Sequence, residues 1–156
     1  MDSRIIIANP SDADIVSEIT QTTIRTVYPK YYPAGAVEFF CAHHSMDRIV
    51  SDIENGFVYL LRVNGSPVGT VTISENHINR LFVLPDHQRQ GFGKALMDFA
   101  EEKIFETFDT IELDASLPAK KIYLKRGYTD EEYHIVKTDG GDHLCYDVMR
   151  KTRENP

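Results

Sequence analysis

The sequence predicts a mixed α/β domain whose central sheet is mostly antiparallel. Three observations carry this. Apolar residues recur at helical spacing in the first third of the chain, Asn64-Gly65 separates two apolar runs, and strand and helix patterns alternate after residue 75. With 156 residues, 42% apolar and 26% charged, the chain reads as one globular domain over 1–156.

Residues 5–8 form a short apolar run. Pro10-Ser11-Asp12-Ala13-Asp14 then reads as a turn and a helix start, with Ser11 or Asp12 as the cap. Ile15, Ile19 and Ile24 give that helix its inner side. The run from Tyr28 to Pro33 ends it, because proline removes a donor and restricts the residue before it. A second helix is expected over 36–42, and a third from Ser45 to a left-handed stop at Asn55-Gly56.

Strands over 57–63 and 66–73 flank the hairpin dipeptide Asn64-Gly65. A further strand is expected over 75–84, ended by Pro85, which cannot donate to a ladder. From Gly91 the pattern turns helical, with Leu96, Phe99, Ala100 and Ile104 on one face. A strand over 111–115, a short helix over 118–125 stopped by Gly127, and two strands within 133–150 complete the order.

Composition narrows the function. A formal charge of -7 argues against a nucleic-acid partner, since such binding rests on Lys and Arg. The apolar runs fall far short of the roughly 20 residues of a membrane span. Met1-Asp2-Ser3-Arg4 has no basic region leading into an apolar stretch, so a cytoplasmic protein with no membrane partner is expected. Cys41 and Cys145 lie far apart without a CxxC and read as reduced thiols. Cys41-Ala42-His43-His44 has no second ligand cluster and no HExxH accompanies it, so no metal is expected.

The run Gln88-Arg89-Gln90-Gly91-Phe92-Gly93-Lys94 joins a strand to a helix. Its glycines let backbone approach a ligand, and the first helical amides lack internal partners. The helix dipole makes that end positive, which suits a phosphate or pyrophosphate. A Walker A loop fails here, because Ala95 follows Lys94 and Gln88 stands where its first glycine belongs. A dinucleotide fingerprint fails at Leu96, where its third glycine belongs.

The stretch from Leu81 to Leu96 closely resembles the central motif of the GNAT acetyltransferase superfamily: an apolar strand end, a proline, then Gln/Arg-x-x-Gly-x-Gly/Ala opening a helix. A second block, from Ser116 to Tyr128, is similar to that family's Asn-x-x-Ala-x-x-x-Tyr-x-x-x-Gly-Phe element. Ala119, Tyr123 and Gly127 fall in register, with Tyr128 for Phe and Ser116 for Asn. The resemblance covers most of the chain and implies the GNAT fold, a central sheet flanked by helices and splayed between its fourth and fifth strands.

By motif position, the resemblance implies that Leu81, Phe82 and Val83 line the pantetheine arm of acetyl-CoA. Gln88, Arg89, Gln90, Gly91, Phe92, Gly93 and Lys94 would cradle its pyrophosphate, with Ser116 and Tyr123 also at the cofactor. The implied activity is direct acetyl transfer to a primary amine, of a small molecule or a peptide, in a ternary complex. A non-catalytic acyl-CoA sensor, or an enzyme with another acyl donor or acceptor, is the alternative.

Such chemistry needs a neutral amine, donors for a developing oxyanion, and a hydrogen bond or proton for the departing thiolate. Tyr123 is the implied general acid, and a backbone amide within 81–83 the oxyanion donor. Strand alternation puts Glu75, His77 and Asn79 on one face, which makes Glu75 and His77 the candidate bases. The strand-five glutamate of some family members corresponds to Ile111, and Glu112 points to the other face. Tyr28, Tyr31, Tyr32 and Phe39 are candidates for the acceptor pocket. Asp130-Glu131-Glu132 reads as solvated surface. Homodimers are frequent in the family, so a homodimer is a further expectation.

Overall fold

Asn64 and Gly65 both take positive φ, 51° and 84°, and close strand β2 (Val58–Val63) onto strand β3 (Ser66–Ser74). That is the conformation a tight hairpin turn requires of its two central residues. The structure is a computed structural model and describes residues 2–154. Met1, Asn155 and Pro156, which the span 1–156 includes, lie outside the described residues.

Strand β1 (Ser3–Ile7) forms one edge of the sheet. Helices α1 (Ala13–Val27), α2 (Ala34–His43) and α3 (Met46–Glu54) follow. After β2 and β3 come strand β4 (His77–Val83), helix α4 (Phe92–Phe105), strand β5 (Thr110–Ala115) and helix α5 (Leu117–Lys125). Strands β6 (Thr129–Lys137) and β7 (His143–Thr152) end the chain. The sheet has seven strands in the order β1-β2-β3-β4-β5-β7-β6. Every pairing is antiparallel except that of β4 with β5.

The two faces of the sheet bury separate cores. On one, Leu96, Met97, Ala100 and Ile104 of α4 pack on Val71, Ile111 and Leu113. On the other, Ile19 and Ile24 of α1 and Ile49 and Ile53 of α3 pack on Val58 and Leu60. Among the described residues no helix is long and apolar enough to cross a membrane.

Two departures from the expected strands matter for the site. The strand expected over 75–84 begins at His77 instead. Glu75 and Asn76 form the turn that joins β3 to β4, with Glu75 exposed at φ 53°. Glu75 therefore does not share a strand face with His77. Further on, Arg80 takes φ 46°, and the β3–β4 register shifts there, so Thr70 faces Phe82 while Thr72 faces Asn79. This bulge reverses the alternation of β4. Ile78 packs in the α4 core and Phe82 in the α1–α3 core, although an unbroken strand would put both on one face.

The parallel pairing of β4 with β5 is short. Only His77 with Glu112 and Ile78 with Leu113 are partnered, and the strands then diverge. Opposite the divergence, the β6–β7 hairpin reaches over to α2, where Asp142 Oδ2 accepts a hydrogen bond from the Gly35 amide at 2.8 Å.

Candidate active site

The divergence of β4 and β5 opens a cavity of about 580 Å³. Leu81, Phe82 and Val83 of β4 line one wall, and Asp114, Ala115 and Ser116 line the other. Beyond Ile78, the β4 edge that faces β5 has no strand partner. Its backbone groups have no ladder partner on that side, and the Val83 carbonyl accepts from the Gln88 and Thr23 side chains instead.

The glycine loop closes one end. After a 3-10 turn, Pro85–His87, Gln88 is extended and Arg89 takes φ 62°. Gly91 caps α4 at φ 86°, a left-handed conformation that favours glycine. The first α4 carbonyl–amide bond runs from Ala95 to Gly91, so the amides of Phe92, Gly93 and Lys94 have no helical partner. A Cβ added at Gly93 would meet no atom within 4 Å. Backbone donors, a positive helix end and room beside them suit a pyrophosphate.

The seven loop residues do not act alike. Gln88, Arg89 and Gly93 line the cavity. The Gln88 side chain donates to the Val83 carbonyl at 3.0 Å, which ties the loop to the end of β4. Gln90 leans back toward the Asp86 carbonyl. The Phe92 side chain is buried in the α4 core, so only its backbone is offered to a ligand. Lys94 lies along the exposed side of α4, paired with Asp98 at 2.7 Å, four residues on. The cradle expected from side-chain charge is therefore mainly a backbone cradle with Arg89 beside it.

Tyr123, on α5, is buried and lines the same cavity. Burial pushes its phenol up to about 12, so it stays protonated at any ordinary pH. Ser116 also lines the cavity, at the N-cap of α5. Tyr28 is buried in the same cavity wall, which raises its pKa well above the usual phenol value.

The remaining candidates separate. Tyr31 is exposed and off the cavity. Tyr32 is buried beside it, and its hydroxyl accepts the Leu117 amide at 2.6 Å, so it steadies the start of α5 rather than lining the pocket. Phe39 lines the cavity. Glu75 is outside it, because the hairpin turn carries it off the end of β4. His77 is half-buried just behind the wall, with Nε2 4.0 Å from Asp114 Oδ1. Ile111 is wholly buried, and Glu112 is ion-paired to Arg150.

Several lining residues were not singled out from the sequence. Asp114 looked like any polar residue on a strand. In the sequence His43 and His44 read only as candidate metal ligands, yet both line the cavity. Burial, with Arg80, His43 and Arg48 nearby, pushes His44 down to about 3, so it is neutral. Arg80 is buried against Asp52 at 2.9 Å and Thr72 at 3.0 Å. Among the described residues no three His, Cys, Asp or Glu side chains are grouped to hold a metal ion.

The family described as Acetyltransferase (GNAT) domain matches residues 27–149. The chain belongs to this GNAT family. It is 28% identical over 83 residues to Uncharacterized N-acetyltransferase YafP of Escherichia coli (strain K12), a match covering 53% of this chain. The chain spans about half the length of that relative, 53% of it. The crystal structure of a GCN5-related N-acetyltransferase (Aminotransferase, Class-II) from Rhodopseudomonas palustris superposes with a TM-score of 0.87 at 22% identity, over 97% of this chain and 96% of that one. YncA, a putative acetyltransferase from Salmonella typhimurium with its cofactor acetyl-CoA, gives 0.75 at 14% identity, over 100% and 96%. Likenesses this distant in sequence establish the GNAT fold, including the parallel β4–β5 pair that frames the cavity.

Proposed function

We propose that this GNAT domain moves an acetyl group from acetyl-CoA to a primary amine by direct attack within a ternary complex. One observation carries the reading. A single cavity runs from the glycine loop, past the unpaired edge of β4 and Tyr123, to an acceptor wall holding Asp114. One continuous space would let donor and acceptor meet without an intermediate carrier, which supports direct transfer. The bound acetyl-CoA of the Salmonella typhimurium relative supports the choice of donor.

The residues present fit that donor. Unpartnered amides at 92–94 and Arg89 would take the pyrophosphate. The β4 edge at Leu81, Phe82 and Val83 would bond the pantetheine arm, and an amide there would receive charge developing on the carbonyl oxygen. Acetyl-CoA supplies the activated acyl group as a thioester.

Tyr123 acts at the sulfur. A phenol held at about 12 keeps its proton against a thiol whose ordinary value is about 8.5. Tyr123 therefore gives the departing sulfur a hydrogen bond, and solvent supplies the proton. Asp114, half-exposed and backed by His77 at 4.0 Å, takes the proton that the amine loses and passes it to water. Cys41 and Cys145 do not line the cavity, so neither thiol is placed to carry the acetyl group, which favours direct transfer. Both are free cysteines, which fits a reducing compartment, and a cytoplasmic setting is part of this reading.

The test is release of free thiol from acetyl-CoA across a panel of primary amines, with donor binding followed by calorimetry. Amine-dependent release is expected. Tight donor binding without release by any amine would favour an acyl-CoA sensor instead.

A further inference from the structure

Six rings bordering the cavity form a closed circuit. Tyr28 meets Phe40 at 4.8 Å between centroids and Phe82 at 6.2 Å. Phe82 meets His44 at 5.7 Å, and His44 meets His43 at 5.0 Å. His43 stacks on Phe39 at 6.0 Å, and Phe39 returns to Phe40 at 6.4 Å. The local sequence explains the collar. Phe39 and His43, like Phe40 and His44, are four apart at the end of α2 and fall on one side. Phe82 joins them because the bulge at Arg80 turns it to this face.

Charge in the collar is sparse. The Arg80 guanidinium is occupied by Asp52 and Thr72. His43 Nδ1 lies 3.2 Å from an Arg48 nitrogen, which calls for a neutral ring accepting there. Burial holds both histidines below their ordinary values. Among the described lining residues, Asp114 is the one carboxylate.

This wall discriminates between amines. An amino acid or a sugar phosphate brings an anion, and the charge of the buried Arg80 is already balanced by Asp52 at 2.9 Å, with only its Nε unpartnered. A polyamine brings further ammonium groups with no further carboxylate to meet them. An amino sugar would press several hydroxyls against ring carbons, where the single unpartnered His44 Nδ1 cannot replace the water that all of them lose. A flat apolar body packs well among rings, and an ammonium is attracted to their faces.

We propose that the acceptor is an arylalkylamine: one primary amine on a short alkyl arm, its aromatic ring inside the collar and its nitrogen toward Asp114. This rests on the acetyltransferase reading above and names the substrate class of the same site. The nitrogen bonds the acetyl carbon as the thioester C–S bond breaks. The acceptor binds as an ammonium, so two protons leave the nitrogen through Asp114 to water, one before the C–N bond forms and one after. One proton reaches the sulfur from solvent, and the products are an N-acetyl amine, the CoA thiol and one released proton.

The test uses the full chain with acetyl-CoA and compares phenethylamine, spermidine, glucosamine and alanine at equal concentration. We expect kcat/KM for phenethylamine to exceed the others by about tenfold or more. Phe39→Ala, at a half-buried rim position, is expected to raise KM for phenethylamine about fivefold and leave acetyl-CoA affinity unchanged. Asp114→Asn should weaken the same amine. If spermidine, glucosamine or alanine is preferred, or Phe39→Ala leaves KM unmoved, the acceptor class is overturned while acetyl transfer stands. If no amine releases thiol, the transfer reading fails, and calorimetry of phenethylamine against the CoA-loaded protein then decides the collar separately. Binding lost in Phe39→Ala supports it, and no binding to the parent overturns it.

Discussion

The side-chain amide of Gln88 donates to the backbone carbonyl of Val83 across 3.0 Å. One residue thereby fixes the glycine loop to the last residue of β4, the two parts of the chain that would hold adjoining segments of a coenzyme, its pyrophosphate and its pantetheine arm. Losing such a bond costs about 1 kcal/mol, or about fivefold in affinity if the loop must reorder on binding. Gln88→Ala is expected to weaken acetyl-CoA by that amount in calorimetry. An unchanged dissociation constant would mean that the loop holds its shape without the latch.

Gly91 and Gly93 should respond in opposite ways. At φ 86°, Gly91→Ala strains the backbone and costs about 1 kcal/mol, a fall in Tm of about 2–4 °C. Gly93 sits inside α4, where a Cβ meets nothing, so Gly93→Leu should leave Tm level or higher. Its side chain would occupy the space beside the unpartnered amides, and acetyl-CoA affinity should fall roughly tenfold or more. Normal acetyl-CoA binding by folded Gly93→Leu would remove the loop from the donor site.

Tyr123→Phe keeps the ring and deletes the hydroxyl. We expect kcat to fall about tenfold with acetyl-CoA affinity unchanged. Because burial holds the phenol near 12, Tyr123 should add no alkaline limb to the pH–rate profile between pH 7 and 9. Turnover equal to the parent's would end its role at the sulfur.

His44 links the acceptor wall to acid stability. In the folded protein it stays neutral down to about 3, whereas the unfolded chain takes up the proton near 6.5. The unfolded state then binds more protons between those values, so stability falls as pH drops through that window. At pH 5 this one group accounts for roughly 1–2 kcal/mol. Urea midpoints at pH 7 and pH 5 should therefore lie closer together in His44→Gln than in the parent. Equal separations would show that His44 titrates normally in the folded state.

Local signals in the sequence translated directly into structure. Asn64-Gly65 takes the predicted hairpin turn, and Gly56 takes φ 77° just past the end of α3. The periodic face of α4 is the face that packs on the sheet. Non-local features were out of reach. The register shift at Arg80 depends on how β4 meets β3, and nothing in the residues around Arg80 announces it. It reverses the faces of β4, so alternation counted from His77 could not place Phe82. Glu75 was misplaced because its turn, unlike Asn64-Gly65, contains no glycine. The collar draws on the 3-10 turn after α1, on the end of α2 and on β4, and nothing local to its histidines in the sequence signals it.

The short pairing of β4 with β5 has a consequence for solubility. A strand edge with open backbone groups usually lies at the rim of a sheet, where any passing extended chain can add to it. Here such an edge lies in the middle of the sheet, screened by β5 and α5 on one side and by the helices on the other. A whole foreign strand cannot reach it; a slender ligand can. The protein can thus keep a recognition edge permanently open without exposing itself to assembly through that edge.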